Sequence, residues 1–476
     1  MATPLKPYPA YKPAGVPWLQ QVPEHWDMLP NRGLVRKRKV LVGKRHKEYQ
    51  LLSLTKQGII VRDLSTGKGK FSADMGTSQE VRKGDLVFCL FDVPETPRTV
   101  GLSSHDGMIT GAYTVFETIG NGSAEYFDYY YRAMDDRKML GPLYSGLRNT
   151  IPLDRLLVAK TPQPPPVEQH LIVRYLHALD AKVKRYIRTK RTLIARLQEQ
   201  KQAIIQRAVT RGLDPERSPG APSGVKLKPS GVEWLGEVPE HWEVKKLKYV
   251  ISEPLRYGAN EAAEHTRTDW PRYIRITDFG YDGALRPETF RSLKPEIAQD
   301  YLVSAGDLLF ARSGATVGKA FLVRSLTGEA CHAGYLIRAR PDQSIVLPEF
   351  LYTYTQTGAF NEWKELTFNT ATIQNIGADK YATLSVPVPS IEEQRRILQW
   401  LNETLTPVNR AIGIAQREIQ TLLEYHTRLI ADVVTGAVDV TAAAKAMAVE
   451  AEEVMEEEPL SMAAEGEAEY GEDTEL

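Results

Sequence analysis

The chain carries one short segment twice. Residues 15–26 read GVPWLQQVPEHW and residues 231–242 read GVEWLGEVPEHW, an offset of 216. TPQPPPVEQ at 161–169 is answered by VPVPSIEEQ at 386–394, now at an offset of 225. Between them, Gly84–Leu86 is answered by Gly306–Leu308 at 222. The nine extra residues of the second copy therefore fall between the repeated segments and not within them. A chain of 476 residues made of two copies of roughly 215 residues is a pseudo-twofold object, suited to a partner that is itself two-fold. A frame keeps its length, whereas loops absorb insertions and carry specificity.

Within each copy the pattern is mixed. EYQLLSL (48–54), GDLVFCLFD (84–92) and ITGAYTVFE (109–117) have the β-branched and aromatic content of strands, and 127–140 reads as a helix. In the second copy 272–279, 306–314 and 335–341 read as strands, and 347–366 as one or two helices. The signature itself, rich in Pro, Gly and Trp, reads as a rigid irregular segment. His25 and His241 lie inside it with no Cys or second His at metal spacing, so they read as structural.

Each Pro-rich lead opens a long helix. Glu168 to Thr210 contains neither Pro nor Gly, and apolar side chains recur at Ile172, Leu176, Leu179, Val183, Tyr186, Leu193, Leu197, Ile204 and Ala208. At 1.5 Å per residue this is a rod of roughly 65 Å. The second copy repeats the seam with Ile397, Leu401, Val408, Ile412, Ile419, Leu422, Leu429 and Val433. Pro407 is expected to kink that run or to begin its longer part, and Gly413 to weaken it. Neither rod can bury its seam alone, so the two are expected to pack antiparallel.

The net charge of zero hides an asymmetry. Residues 441–476 hold twelve acids against one base, Lys445, which leaves the rest of the chain at +11. Such a body attracts polyanions, whereas the Ala- and Glu-rich tail is expected to be disordered. No run of eighteen apolar residues occurs, and the N-terminal residues show no secretory pattern. Cys89 and Cys331 read as buried reduced thiols, and the chain as cytoplasmic.

No catalytic or metal motif survives inspection. SGATVGKA (313–320) resembles a phosphate loop, but only three residues separate Gly314 from Gly318, and Ala320 follows Lys319 where Ser or Thr is needed. What remains is binding. The first copy places Lys44, Arg45, Lys56, Gln57, Arg62, Lys68, Lys70, Arg98, Thr99, Ser103, Ser104, Arg148 and Asn149 in expected loops. The second places Arg256, Asn260, Arg312, Ser313, Thr316, Lys319, Asn369, Thr372, Gln374 and Asn375 there. Arg reads guanine, Asn or Gln reads adenine, and Lys and Ser mostly hold phosphates. As a set on a basic body, these residues favour nucleic acid. A repeated-domain adaptor that binds two copies of a protein, and a nuclease with a hidden site, remain open alternatives.

The doubled signature, the EQ pairs Glu168–Gln169 and Glu393–Gln394, and the helix ends AVTRGLD (208–214) and VVTGAVD (433–439) resemble the specificity subunit of type I restriction–modification enzymes over about residues 11–440. The resemblance implies an α+β fold: two target-recognition domains in a pseudo-twofold arrangement, joined by two long antiparallel helices that form a coiled coil. It divides the chain into an N-terminal segment (1–26), a first recognition domain (27–161), a central helix (162–214), a linker with the repeated signature (215–242), a second recognition domain (243–386), a C-terminal helix (387–440) and the acidic tail (441–476). It further implies that the chain has no catalytic residues and binds no cofactor. Its expected partners are double-stranded DNA with a bipartite asymmetric site, two modification subunits using S-adenosylmethionine to methylate adenine N6, and two restriction subunits using ATP and Mg.

Overall fold

The computed structural model describes residues 5–62, 75–120, 122–213, 225–280, 283–314, 316–368 and 375–447. They form two compact units. Unit one draws on the chain up to Thr189 and again from Glu418, and unit two on Lys190–Arg417. Each unit therefore owns part of each of two long helices, Pro166–Arg211 and Ile391–Val434.

These helices are the two rods. The first opens on Pro166, which suits a helix's first turn, where its missing N–H costs nothing. The second opens behind Ser390, whose Oγ accepts from Glu393 N at 3.3 Å. Both stop just before a glycine in the left-handed region, Gly212 at φ +71° and Gly436 at φ +76°. Contrary to expectation, Pro407 does not interrupt the second rod. Pro407 and Glu403 both lie on the exposed face, where water can serve the Glu403 carbonyl that has lost its N–H partner.

The rods run antiparallel within each unit. In unit one, Asp180 Oδ1 meets His426 Nε2 at 2.7 Å and Tyr186 Oη donates to Glu418 Oε2 at 3.3 Å. In unit two, Lys201 Nζ donates to Asn409 Oδ1 at 2.9 Å. Burial opposes ionisation of Asp180, but hydrogen bonds from His426 and Tyr129 outweigh it and hold the carboxyl below its ordinary range. Along the seam, Ile172, Leu176, Val183, Ala208, Ile397, Leu401, Leu429 and Val433 are buried. Leu179, Leu197, Ile204, Val408, Ile412, Ile419 and Leu422 are half-buried. Leu193 departs from the expected seam and is 44% exposed.

Each module is built on the same plan. In unit one a four-stranded antiparallel sheet runs Val35–Arg38, Thr114–Thr118, Leu86–Phe88, Val100–Leu102. In unit two the order is Arg256–Tyr257, Leu336–Ala339, Leu308–Ala311, Ala320–Leu322. A second pair in each unit ties the lead into a rod to the strand after the signature: Lys160–Gln163 with Asp27–Pro30, and Ser385–Val388 with Glu243–Lys246. The helix read at 127–140 is Ala124–Asp136, and 347–366 holds two helices, Pro348–Tyr354 and Gly358–Phe368. The modules differ beside the sheet. Unit one pairs Gln79–Val81 antiparallel with Gly107–Ile109, whereas unit two pairs Arg272–Ile274 parallel with Ala330–His332.

Two expectations are corrected. The signature is not irregular. Tyr11–Val16 and Leu19–Pro23 form an antiparallel hairpin, and Leu227–Pro229 pairs with Glu237–Pro239 in the second copy. The tail does not begin at 441, because residues 441–447 are helical, Ala444 is buried and its carbonyl accepts from Arg174 Nη2 at 2.8 Å. The rest of the acidic tail, 448–476, lies outside the described residues. Both cysteines are buried, and burial pushes the Cys89 thiol up to about 11 and that of Cys331 to about 12.

Two glycines, Gly413 within the second rod and Gly436 just past its end, give a paired test. A Cβ on Gly436 would meet Pro23 Cδ at 2.2 Å in a conformation L residues resist, whereas one on Gly413 meets only the Arg417 side chain at 3.6 Å. Gly436→Ala should destabilise by about 3 kcal/mol or more, and Gly413→Ala should stabilise by about 0.5–1 kcal/mol. Denaturant melts of both variants check the opposite signs.

Candidate nucleic-acid interface

The repeated residues meet in one knot per unit. In unit one, Glu168 in the first turn of the first rod accepts from Tyr8 Oη at 2.6 Å and Trp26 Nε1 at 3.0 Å, and its other oxygen lies 2.9 Å from His25 Nε2. A carboxylate here also answers the N-terminal end of the helix dipole. The neighbouring Gln169 donates to Pro164 O at 2.8 Å and accepts from Ser123 N, the cap of the module helix, at 3.0 Å. Trp26 packs edge-on to Tyr126 at 6.4 Å, and the end of the second rod arrives at the same place, with Gly436 beside Pro23 and Trp26.

Unit two repeats the knot. Glu393 lies 2.9 Å from His241, and Gln394 donates to Pro389 O at 2.9 Å and accepts from Leu347 N at 2.7 Å. Trp242 meets Phe350 edge-on at 6.4 Å, and Gly212, at the end of the first rod, abuts Trp242 and Pro239. One difference stands out: among the described residues Trp242 Nε1 is buried without a partner, whereas Trp26 Nε1 has Glu168. The two histidines are thus structural, as read, and each signature ties the start of one rod to the end of the other.

Each module also carries a second repeated device. At the end of a central strand, Leu90 O accepts from Ile151 N at 2.8 Å, and Arg312 O accepts from Ile376 N at 2.9 Å. The tight turns before these strands also match. Arg82 N donates to Asp85 Oδ2 at 2.7 Å and Ser304 N to Asp307 Oδ2 at 2.8 Å. The backbone frame is the same while its residue changes from Leu90, buried in the core, to Arg312, half-buried beside Tyr257.

The expected binding residues scatter into three groups. Lys44, Arg45, Lys56, Gln57, Ser104, Asn149, Arg256, Asn260, Lys319 and Asn375 are exposed, and Arg62, Arg312, Ser313 and Thr316 are half-exposed. Arg45 lies over Tyr49, and Lys56 and Gln57 form the turn between Leu52–Thr55 and Gly58–Val61. A second group is engaged inside the fold. Thr99 donates to Asp135 at 2.9 Å and Ser103 to His105 O at 2.7 Å; both are buried, which corrects their placement in binding loops. Arg98 is largely covered and paired with Asp136 at 2.6 Å. Arg148 is exposed but already held by Asp92 through two hydrogen bonds. Lys68, Lys70, Asn369, Thr372 and Gln374 lie outside the described residues. Sequence reasoning missed Tyr257 and Tyr335, exposed aromatics beside Arg312. The doubled offset of 222, which aligns Arg312 with Leu90, was the available signal for this position.

Among the described residues no group of three or more His, Cys, Asp and Glu side chains could hold a metal ion, and no helix is long and apolar enough to cross a membrane.

Comparison with known proteins points one way. The chain shares its fold with a chain solved in work on complex assembly and conformational transition of the type I R-M system. That likeness has a TM-score of 0.59 at 17% identity and covers 87% of this chain and 99% of the other. It is similar to the type I restriction enzyme EcoBI specificity subunit of Escherichia coli, 25% identical over 274 residues, which span 55% of this chain and 56% of the relative. It also matches a protein named for the MjaX type I restriction enzyme specificity subunit of Methanocaldococcus jannaschii, 25% identical over 200 residues, 40% of this chain and 44% of the relative. The chain thus spans about half the length of the curated relatives it matches. No family model matches it. The resemblance read from the doubled signature agrees with both the names of these relatives and the fold.

The knots differ in what they would lose. Glu168→Ala strands two buried donors, Tyr8 Oη and Trp26 Nε1, and should cost unit one about 2–5 kcal/mol, whereas Glu393→Ala, whose donor His241 is exposed, should cost unit two about 1 kcal/mol. Amide hydrogen exchange resolved by unit measures the two losses separately.

Proposed function

We propose that this chain is the DNA-sequence-specificity subunit of a type I restriction–modification system. Each module reads one half of a bipartite, asymmetric duplex site, and the rods set the untouched spacer between the halves. The chain is not itself an enzyme. It scaffolds two modification subunits, which bind S-adenosylmethionine and methylate adenine N6, and two restriction subunits, which use ATP and Mg. The assembly works on DNA in the cytoplasm.

The observation that carries this reading is a constant frame around variable contents: two matching knots and matching strand-end clamps, with Leu90 in one clamp and Arg312 in the other. An adaptor for two copies of one protein would need like contents in both modules. The basic body supplies the charge for phosphate contacts. Rods of 46 and 44 residues are roughly 65–70 Å long, about two turns of B-DNA at roughly 34 Å per turn.

Methylation mapping in cells that carry this chain with its modification partner should return one bipartite motif with modified adenines in both halves. Binding of the assembled complex to that duplex should weaken steeply with salt, the logarithmic slope being about −5 or steeper if six or more phosphates are neutralised. The rod contacts place 410–413 opposite 193–196, so deleting both together keeps the register and removes about one helical turn. The deletion should shorten the spacer and leave both half-sites intact. A salt-independent complex, or an unchanged spacer, contradicts the reading.

A further inference from the structure

We propose that Arg312, lying over the ring of Tyr257, reads a guanine in the half-site addressed by the second module; this rests on the DNA-recognition reading above.

The backbone of Arg312 is held on both sides. It leaves the strand Leu308–Ala311, its N–H donates to Tyr335 O at 3.0 Å, and its carbonyl accepts from Ile376 N at 2.9 Å. The side chain is held as well, with the guanidinium carbon 4.9 Å from the centre of the Tyr257 ring. That ring is pinned in turn, because Tyr257 Oη accepts from Ala378 N at 2.9 Å. A guanidinium over an aromatic face that is itself hydrogen-bonded in place has less freedom than one on a solvated stem.

The head of this side chain is unspent. Among the described residues four arginines bury an Nε with no partner: Arg38, Arg98, Arg272 and Arg312. The first three satisfy their other nitrogens inside the protein, Arg38 on Glu80 and Asp85, Arg98 on Asp136 and Arg272 on Arg286 O. Among the described residues Arg312 makes no side-chain hydrogen bond and no ion pair, and the Tyr257 ring is its contact. A half-buried guanidinium with no protein acceptor among the described residues can take one that arrives from outside. Its surroundings suit a base: Tyr257 is 42% and Tyr335 63% exposed, and Asn260 and Asn375 lie beside them.

The choice of guanine follows from geometry. A fixed planar fork matches the O6 and N7 acceptors of guanine in the major groove, whereas adenine offers a donor at N6 where the fork needs an acceptor. A phosphate contact would not need the stack, since a long solvated side chain serves it. The first module turns Leu90 into its core from the same clamp, so this readout belongs to the second module alone.

The test uses the full chain assembled with its modification partner and a randomised duplex pool, with bound sequences counted for the wild type, Arg312→Ala, Arg312→Lys and Tyr257→Leu. The wild type should select a bipartite site with a G·C pair at a position in one half. Arg312→Ala should lose discrimination at that position by roughly 5- to 150-fold, with every other position and the salt slope unchanged, and Arg312→Lys, a point charge without the planar fork, should lose part of it. Tyr257→Leu should relax the same position to a smaller extent. Arg312→Lys keeps the charge, so it remains informative if the alanine variant fails to fold. The proposal is overturned if both Arg312 variants keep the wild-type preference. It is also overturned if Arg312→Ala weakens all sequences alike and lowers the salt slope by about one, the mark of a phosphate contact. If the wild type selects no bipartite site, the functional reading itself falls and takes this proposal with it.

Discussion

A carboxylate in the first turn of each rod meets the histidine of the signature that precedes it. Glu168 and Glu393 each lie 2.9 Å from their histidine, and the adjacent Gln169 and Gln394 each take the capping N–H of a module helix. Four elements therefore share one polar centre: signature, rod start, module helix and, through Gly436 or Gly212, the end of the other rod. Two large fully buried indoles, Trp26 and Trp242, cover these centres. Removing Glu168 leaves the buried donors Tyr8 Oη and Trp26 Nε1 without an acceptor, and that penalty exceeds the net worth of the hydrogen bonds themselves, whereas Glu393 holds only the exposed His241. In unit one this penalty ties the signature to the EQ pair.

The constraint also explains where the copies are free to differ. Whatever lies between the signature and the Pro-rich lead must return its ends to the knot and keep its central sheet. Beyond that, the module can pair its flanking strands antiparallel, as at Gln79–Val81, or in parallel, as at Arg272–Ile274. The clamp at the strand end shows the division of labour at a single residue. Leu90 is buried in its module core, while Arg312 reaches an exposed tyrosine.

Much of the frame was legible in the sequence, because period and repetition survive translation into structure. Forty-three residues without Pro or Gly have few alternatives to a helix, and two echoes at different offsets separate scaffold from contents. The signature hairpin was not legible, since its prolines and glycines mask short strands that hold through pairing with each other. The passage of the second rod through Pro407 was hidden too, because tolerance there depends on which face is exposed. Among the binding candidates, residue type could not distinguish Arg312 from Arg98, which an Asp136 thirty-eight residues away has already engaged. Thr99 and Ser103 were lost to burial, a property that depends on tertiary packing and not on local composition.

The central claim is that one frame presents two independent readers. Exchanging the contents of one module for those of the other isolates it: a chain in which residues 243–386 also stand in place of 27–161, assembled with its modification partner and subjected to methylation mapping. The account predicts an interrupted palindrome, two copies of the second half-site in opposite orientation at the wild-type spacing. A folded chain that still required the first half-site would contradict it.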